Sequence, residues 1–287
     1  GLDNLAFDAD DRLFVTHADA GHVWEVMGDG STRDLLQGGM TSPHGIAVLT
    51  ADQGETTYVG NIFMLYGFDG ASGETVSDGR NTPAITVSPL GEDLLLSSWF
   101  AGIVAQHDAK TGEILAAYQD FNMPMNAIAF QGDWIVAELG TGSVVRADGD
   151  DPSQRSTLAS ELAVPLGLAA TEEALWVSDM GTGMIWQIVG KGEVLEKPNL
   201  VAQGLAAPSG MAVSADGDLL VVETATGRLL AIDPDSAEQS VVAEGLAVSP
   251  QVPEGAAPIL VGVAVGPSGA IYVAGNVGNV VYRIDAN

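Results

Sequence analysis

The sequence predicts an all-β fold, a seven-bladed β-propeller made of four-stranded antiparallel meanders. Three observations predict it. One strand-turn-strand pattern returns seven times, its copies lie roughly forty residues apart, and no single copy can bury both faces of its own sheet. The clearest copy is 207–233, APSGMAVSADGDLLVVETATGRLLAID, where three short apolar runs are separated by the turns Ser-Ala-Asp-Gly and Thr-Ala-Thr-Gly.

In chain order the copies begin near residues 2, 43, 83, 124, 165, 208 and 260, as LDNLAF, PHGIAV, PAITV, PMNAIAF, PLGLAA, PSGMAV and LVGVAV. The steps from Pro43 to Pro208 are 40, 41, 41 and 43, and a Pro-rich insertion at 247–258 lengthens the last one. Every copy has a second strand (LFVTH, TYVGN, LLSSW, WIVAE, LWVSD, LLVVE and IYVAG) and then a third. Gly112–Tyr118 and Gln239–Glu244 are expected as outer strands. The seventh copy has no sequence left for one, so residues before Gly1 would close the ring or this blade is short. A six-bladed ring is the alternative if one repeat has been over-read. Residues 1–287 are expected to form one propeller domain.

Composition narrows the function. Ten basic against 38 acidic residues give a formal charge of −28, which argues against nucleic acid or an anionic membrane surface as partner. The longest apolar run, about Ile259–Val265, is far too short to span a bilayer. With no Cys, disulfides and thiolate metal sites are excluded, which fits either a cytosolic or an exported protein, and export is the expectation.

Propeller geometry then places chemistry. The inner strand crosses the blade from one face to the other and the second strand returns antiparallel, so the start of the first and the end of the second share a face near the channel. Inner-strand starts supply Asp3, His44, Asn126 and Ser209. Second-strand ends supply His17, Asn61, Ser98 or Trp99, Glu138, Asp179 and Glu223. Polar groups converging on a channel mouth are the expected form of a ligand site. Asn126, Glu138, Asp179 and Glu223 suit a hard cation, Ca²⁺ or Mg²⁺. His44, His17 and Glu138 are the candidates for acid–base work, and Asp3, Asn61, Trp99 and Ser209 for contacts with substrate. Against this, an Asp or Glu at a second-strand end can simply accept hydrogen bonds from the next turn. His22 and His107 are expected on the surface. Gly140–Gly142 and Gly181–Gly183 read as hairpin turns, and Asp148–Asp151 as a solvated turn.

The P-x-G-[IM]-A start with a D-x-G turn and [LI]-[YWL]-V, best seen at Pro43–Val48, Pro208–Leu220 and Gly262–Val273, resembles the NHL and SMP-30/gluconolactonase propellers. That resemblance implies a divalent cation in the channel, held by Glu, Asn and Asp, and the opening of a lactone. Asn126 matches its ligand Asn, whereas Ser209 stands where an Asp is expected and no Glu begins an inner strand. PHGIAV, with Glu138 and Glu223, also resembles virginiamycin B lyase, which implies Mg²⁺ and elimination at a cyclic ester; the repeated Trp-Phe-Thr-Glu strand of that family is absent. The sequence thus leads to a lactone or ester hydrolase acting on a small molecule. A cyclic-ester lyase and a non-catalytic ligand- or protein-binding propeller are the alternatives.

Overall fold

The structure, a computed structural model, describes residues 2–285 apart from 18–20, 37, 38, 41, 53, 62, 83, 84 and 251–257. Pro83 and most of the Pro-rich insertion therefore lie outside the described residues. The described chain is all β, in seven antiparallel sheets that follow the seven repeats. Their inner strands are Leu2–Phe7, Ile46–Ala51, Thr86–Leu90, Pro124–Phe130, Pro165–Ala170, Pro208–Val213 and Val263–Val265, here blades 1 to 7. Among the described residues, blades 1 to 6 have four strands each and blade 7 has three. The expected outer strands are present as Ile114–Tyr118 and Gln239–Glu244.

Second strands such as Leu219–Glu223 are buried along their whole length, because a neighbouring blade covers each face. Apolar clusters accordingly sit in the seams between blades. Leu65 and Val59 face Leu94 and Tyr272 on their two sides, Trp134 packs with Leu95, Ile135 with Leu175, Trp176 with Leu219, and Leu220 with Val273. These six seams run from blade 2 to blade 7 and from blade 7 back to blade 2, so six of the seven sheets close a ring. The seven sheets match the seven-bladed β-propeller that the repeats predict.

Blade 7 meets blade 2 directly. The Gly262 N–H donates to the His44 carbonyl at 2.8 Å. Glu55 accepts from the Tyr272 hydroxyl at 2.5 Å and the Ser268 hydroxyl at 2.9 Å. Burial pushes the Glu55 carboxyl up, but these donors together pull it below the usual range, and burial with Glu55 beside it lifts the Tyr272 phenol to about 12. Blade 1 contributes to none of the six seam clusters among the described residues, and its inner-strand Leu5 and Phe7 are 60% and 63% exposed.

Charge is divided between the two ends of the ring. Turns joining first to second strands and third to outer strands lie at one end and carry the exposed Asp52, Glu92, Asp150, Asp216 and Asp235. Several such turns are closed by an Asp accepting from the N–H groups two and three residues on, as Asp108 and Asp233 do. Asp148 takes the N–H groups of Asp150 and Asp151 in the same way, which makes that run the expected turn.

Candidate functional site

The inner strands of blades 2 to 7 enclose a channel with a cavity of about 350 Å³. Its wall is mostly apolar, with Ile46, Val87, Ile128, Leu168, Met211 and Val263 among the lining side chains. Ser88 and Asn126 bring polar side chains to it. At the end where the inner strands begin, Met125, Leu166 and Leu260 pack together under Trp99, Leu139, Val164 and Met180. The mouth read as polar from the sequence is thus closed largely by an apolar plug.

Of the four expected cation ligands, Asn126 alone lines the cavity. It is 6% exposed. The three carboxylates are engaged within their own blades. Each lies opposite the proline that opens its inner strand (Pro124, Pro165 and Pro208), and each reaches back to the loop leading into that proline. Glu138 accepts from the Asn122 N–H and the Thr141 hydroxyl, both at 2.9 Å. Asp179 accepts from the N–H groups of Ala163, Val164 and Gly181 at 3.0, 2.8 and 3.1 Å. Glu223 accepts from the Ala206 N–H at 2.8 Å, from Thr226 at 2.9 Å and from Arg228 at 2.5 Å. Burial pushes the Glu223 carboxyl up; the Ala206 N–H, Arg228 and Thr226 outweigh it and hold it below the usual range. No group of three or more His, Asp or Glu among the described residues is placed to share a metal ion.

We therefore expect Asp179→Asn to lose about 2 kcal/mol, the worth of hydrogen bonds to a charged acceptor. The loss should be equal in thermal melts run with a chelator and with Ca²⁺. A loss seen only with Ca²⁺ present would make Asp179 a ligand.

The other expected site residues divide similarly. Asn61 Oδ1 closes its own turn, accepting from the Phe63 and Met64 N–H groups at 2.9 and 2.7 Å. Ser209 joins blades, its hydroxyl accepting from the Val261 N–H at 2.9 Å and its carbonyl from the Ser178 hydroxyl at 2.7 Å. The side chains of Asp3 and His17 lie outside the described residues. His107 is a correction: it ends a third strand but is 4% exposed, and burial lowers its pKa, because this strand is covered by the adjoining blade.

Unused hydrogen-bonding capacity collects instead at the same end of blades 2 and 3. His44 Nδ1, Ser98 Oγ and Trp99 Nε1 are buried without a hydrogen-bond partner among the described residues. His44 opens the inner strand of blade 2, its N–H donating to the Gly60 carbonyl at 2.9 Å. Ser98 ends the second strand of blade 3, and Trp99 follows it. The other His44 ring nitrogen, Nε2, lies 3.3 Å from the Ser42 hydroxyl. With His44 only 2% exposed, burial lowers its pKa to about 4 and leaves the imidazole neutral at pH 7. If Nε2–H donates to Ser42, Nδ1 keeps a free lone pair.

Beside this group, Phe63 and Phe100 stand out from the surface, 44% and 46% exposed, with ring centroids 6.4 Å apart. Trp99 meets Phe100 edge-on at 5.8 Å. The sequence reading did not single out these two phenylalanines or Ser42. A signal for the phenylalanines was present: NIF at 61–63 and SWF at 98–100 replace the Thr-containing turns ELGT, DMGT and ETAT of blades 4 to 6.

No family model matches the chain, and no curated protein does. Solved structures share its fold. A gluconolactonase from Xanthomonas campestris is 15% identical with a TM-score of 0.66, over 99% of this chain and 97% of that one. A calcium-binding regucalcin from Agrobacterium tumefaciens is 16% identical with a TM-score of 0.56, over 82% of each chain. An inactivated virginiamycin B lyase from Staphylococcus aureus, with quinupristin, is 16% identical with a TM-score of 0.57, over 86% of this chain and 83% of that one. The propellers that the repeat pattern resembles are thus among those that the fold resembles. At these identities the likeness is one of architecture.

Proposed function

We propose that the chain binds a small neutral molecule by a carbonyl oxygen at the channel end of blades 2 and 3, and opens a lactone or ester there. The observation that carries this reading is the trio of buried, unpartnered polar atoms, His44 Nδ1, Ser98 Oγ and Trp99 Nε1. Each such atom costs about 1–3 kcal/mol unless something meets it. An indole N–H can only donate and a hydroxyl can donate, so a carbonyl oxygen suits both. His44 Nδ1 would take a proton from water, the hydroxide would add to the carbonyl carbon, and the proton would pass to the alkoxide as the acyl C–O bond breaks. The product is the hydroxy acid.

Ca²⁺ or Mg²⁺, expected from the resemblance, fits the residues poorly. Glu138, Asp179 and Glu223 already hold N–H groups, hydroxyls and Arg228, and only Asn126 faces the cavity. No step is routed through a cation. The likeness to a gluconolactonase supports the choice of a lactone. An exported location belongs to this proposal as well.

A non-catalytic ligand-binding propeller is the second reading, favoured by the fact that burial alone sets the His44 pKa, so that no carboxylate stabilises an imidazolium. The experiment follows acid release from δ-valerolactone and γ-butyrolactone in weak buffer, and ultraviolet absorbance to detect elimination. We expect acid release that Trp99→Phe and Ser98→Ala each lower about a hundredfold, in keeping with the loss of one donor to the developing oxyanion. Lactone binding without acid release would leave the second reading.

A further inference from the structure

We infer that the group carried by the ligand next to its carbonyl is aromatic or flat and apolar, and that Phe63 and Phe100 select it. This deepens the reading above and rests on the same channel end being the site.

Three observations lead there. First, the two phenylalanines stand on the turns that directly follow the second strands of blades 2 and 3. Phe100 is joined to Phe63 on one side and to Trp99 on the other by ring contacts. An aromatic strip thus runs from the surface to an indole whose buried N–H awaits an acceptor. The Asn61 carboxamide fixes the Phe63 turn, so the strip is held in place before a ligand arrives.

Second, the equivalent turns of blades 4 and 5 have Gly-Thr where blades 2 and 3 have these aromatics. Their threonines serve the turn, Thr141 by its bond to Glu138 and Thr182 by a contact with the Asp179 carbonyl at 3.5 Å. Phe63 and Phe100 do no such work, and leaving two large rings in water has no benefit to the fold.

Third, the site is uncharged in a chain of net charge −28. Residues 61–63 and 99–102, and the lead-ins 39–43 and 82–85, contain no Asp, Glu, Lys or Arg. The exposed carboxylates of the blades' D-x-G turns lie at the far end of the ring. The carboxylates at this end, Glu138, Asp179 and Glu223, are already held by N–H groups, hydroxyls and Arg228, and an anion would be repelled by the chain as a whole. What remains is a neutral ligand whose carbonyl meets the buried donors while its flat apolar part stacks on the rings, where offset and edge-on contacts are favourable.

The test uses two lactams, which present the carbonyl but resist opening: 3,4-dihydroquinolin-2-one, with a fused benzene ring, and δ-valerolactam, without one. Titration calorimetry on the full chain should give at least about tenfold tighter binding for the aromatic lactam. In Phe63→Ala and in Phe100→Ala the two affinities should converge; Phe100→Leu, which keeps apolar bulk, should retain part of the preference. Both phenylalanines are exposed, and an unchanged thermal midpoint checks that the variants fold. Equal affinities in the native chain, no binding of either lactam, or a preference that survives both alanine variants would overturn the inference. Aromatic-selective binding without opening of the matching lactones would sink the hydrolase reading and uphold the selection. Equal opening of dihydrocoumarin and δ-valerolactone would do the reverse.

Discussion

Gly210→Ala should destabilise the chain by about 2–3 kcal/mol, the cost of overpacking a tight contact, and lower its melting midpoint by roughly 5–10 °C. A methyl group at this position would sit 2.3 Å from the Val261 carbonyl oxygen of the next blade. The Gly210 N–H also donates to that carbonyl, at 3.0 Å. The same P-x-G glycine lies against a neighbouring backbone in blade 2, where a Gly45 methyl would be 2.5 Å from Thr86 Cα, and in blade 5, where a Gly167 methyl would be 2.1 Å from the Ser209 carbonyl oxygen. Relief requires one blade to move from the next, which opens a seam cluster on both sides. Gly217→Ala is the control: its φ is +94° and nothing lies within 4 Å, so only the left-handed backbone resists, at about 1–2 kcal/mol. Equal melting midpoints for the two variants would show that the seam contact is not what the repeat's glycine is for.

The repeat is why so much of the fold could be read. Sheet count, the order of strands within each sheet and the outer strands at Ile114–Tyr118 and Gln239–Glu244 all follow from local patterns that turns and alternation specify. Ring closure is different. Leu2–Phe7 reads like any other inner strand, yet the Gly262–His44 bond and the Glu55–Tyr272 contact bring blade 7 onto blade 2, and these join residues over two hundred positions apart. Spacing along the chain has no means of registering them.

The candidate site was legible by position but not by role. The two rings did contain His44, Ser98 and Trp99, the residues left with unmet polar atoms. They also contained Glu138, Asp179 and Glu223, whose charges made them look like ligands. Half of their partners are main-chain N–H groups of a lead-in loop some sixteen residues earlier, which a side-chain pattern does not display. The threonine three positions after each carboxylate was the visible clue that those turns close on themselves. Blades 2 and 3 break that rule with NIF and SWF, and His44, Ser98 and Trp99 at that end keep unpaired polar atoms. The departure from the repeat, rather than the repeat's own charges, marks the end of the channel at which the site is proposed.

His44→Leu should abolish lactone opening and yet make the chain more stable in mild acid. In the folded chain the His44 pKa is about 4, against 6.5 for an ordinary histidine, with burial as its cause. Between these values the unfolded chain holds a proton that the folded chain does not, so stability rises with pH through this window. The contribution is fully present above pH 6.5 and is lost as pH falls towards 4. The full difference is about 3 kcal/mol, of which about 2 kcal/mol is gone by pH 5. Leucine at this position cannot titrate and also removes the unpartnered Nδ1. A plot of stability against pH should therefore be flatter for the variant between pH 4 and 6.5, with the two chains differing most at the acid end. The catalytic readout runs by the same pKa. A base that stays neutral down to pH 4 predicts an acid limb of kcat/KM near pH 4, well below that of an exposed histidine. His44→Gln, which keeps polarity but cannot take the proton, should lose about a hundredfold or more. An acid limb near pH 6.5, or a glutamine variant as active as the native chain, would remove His44 from the chemistry and leave it a buried histidine whose only effect is on stability.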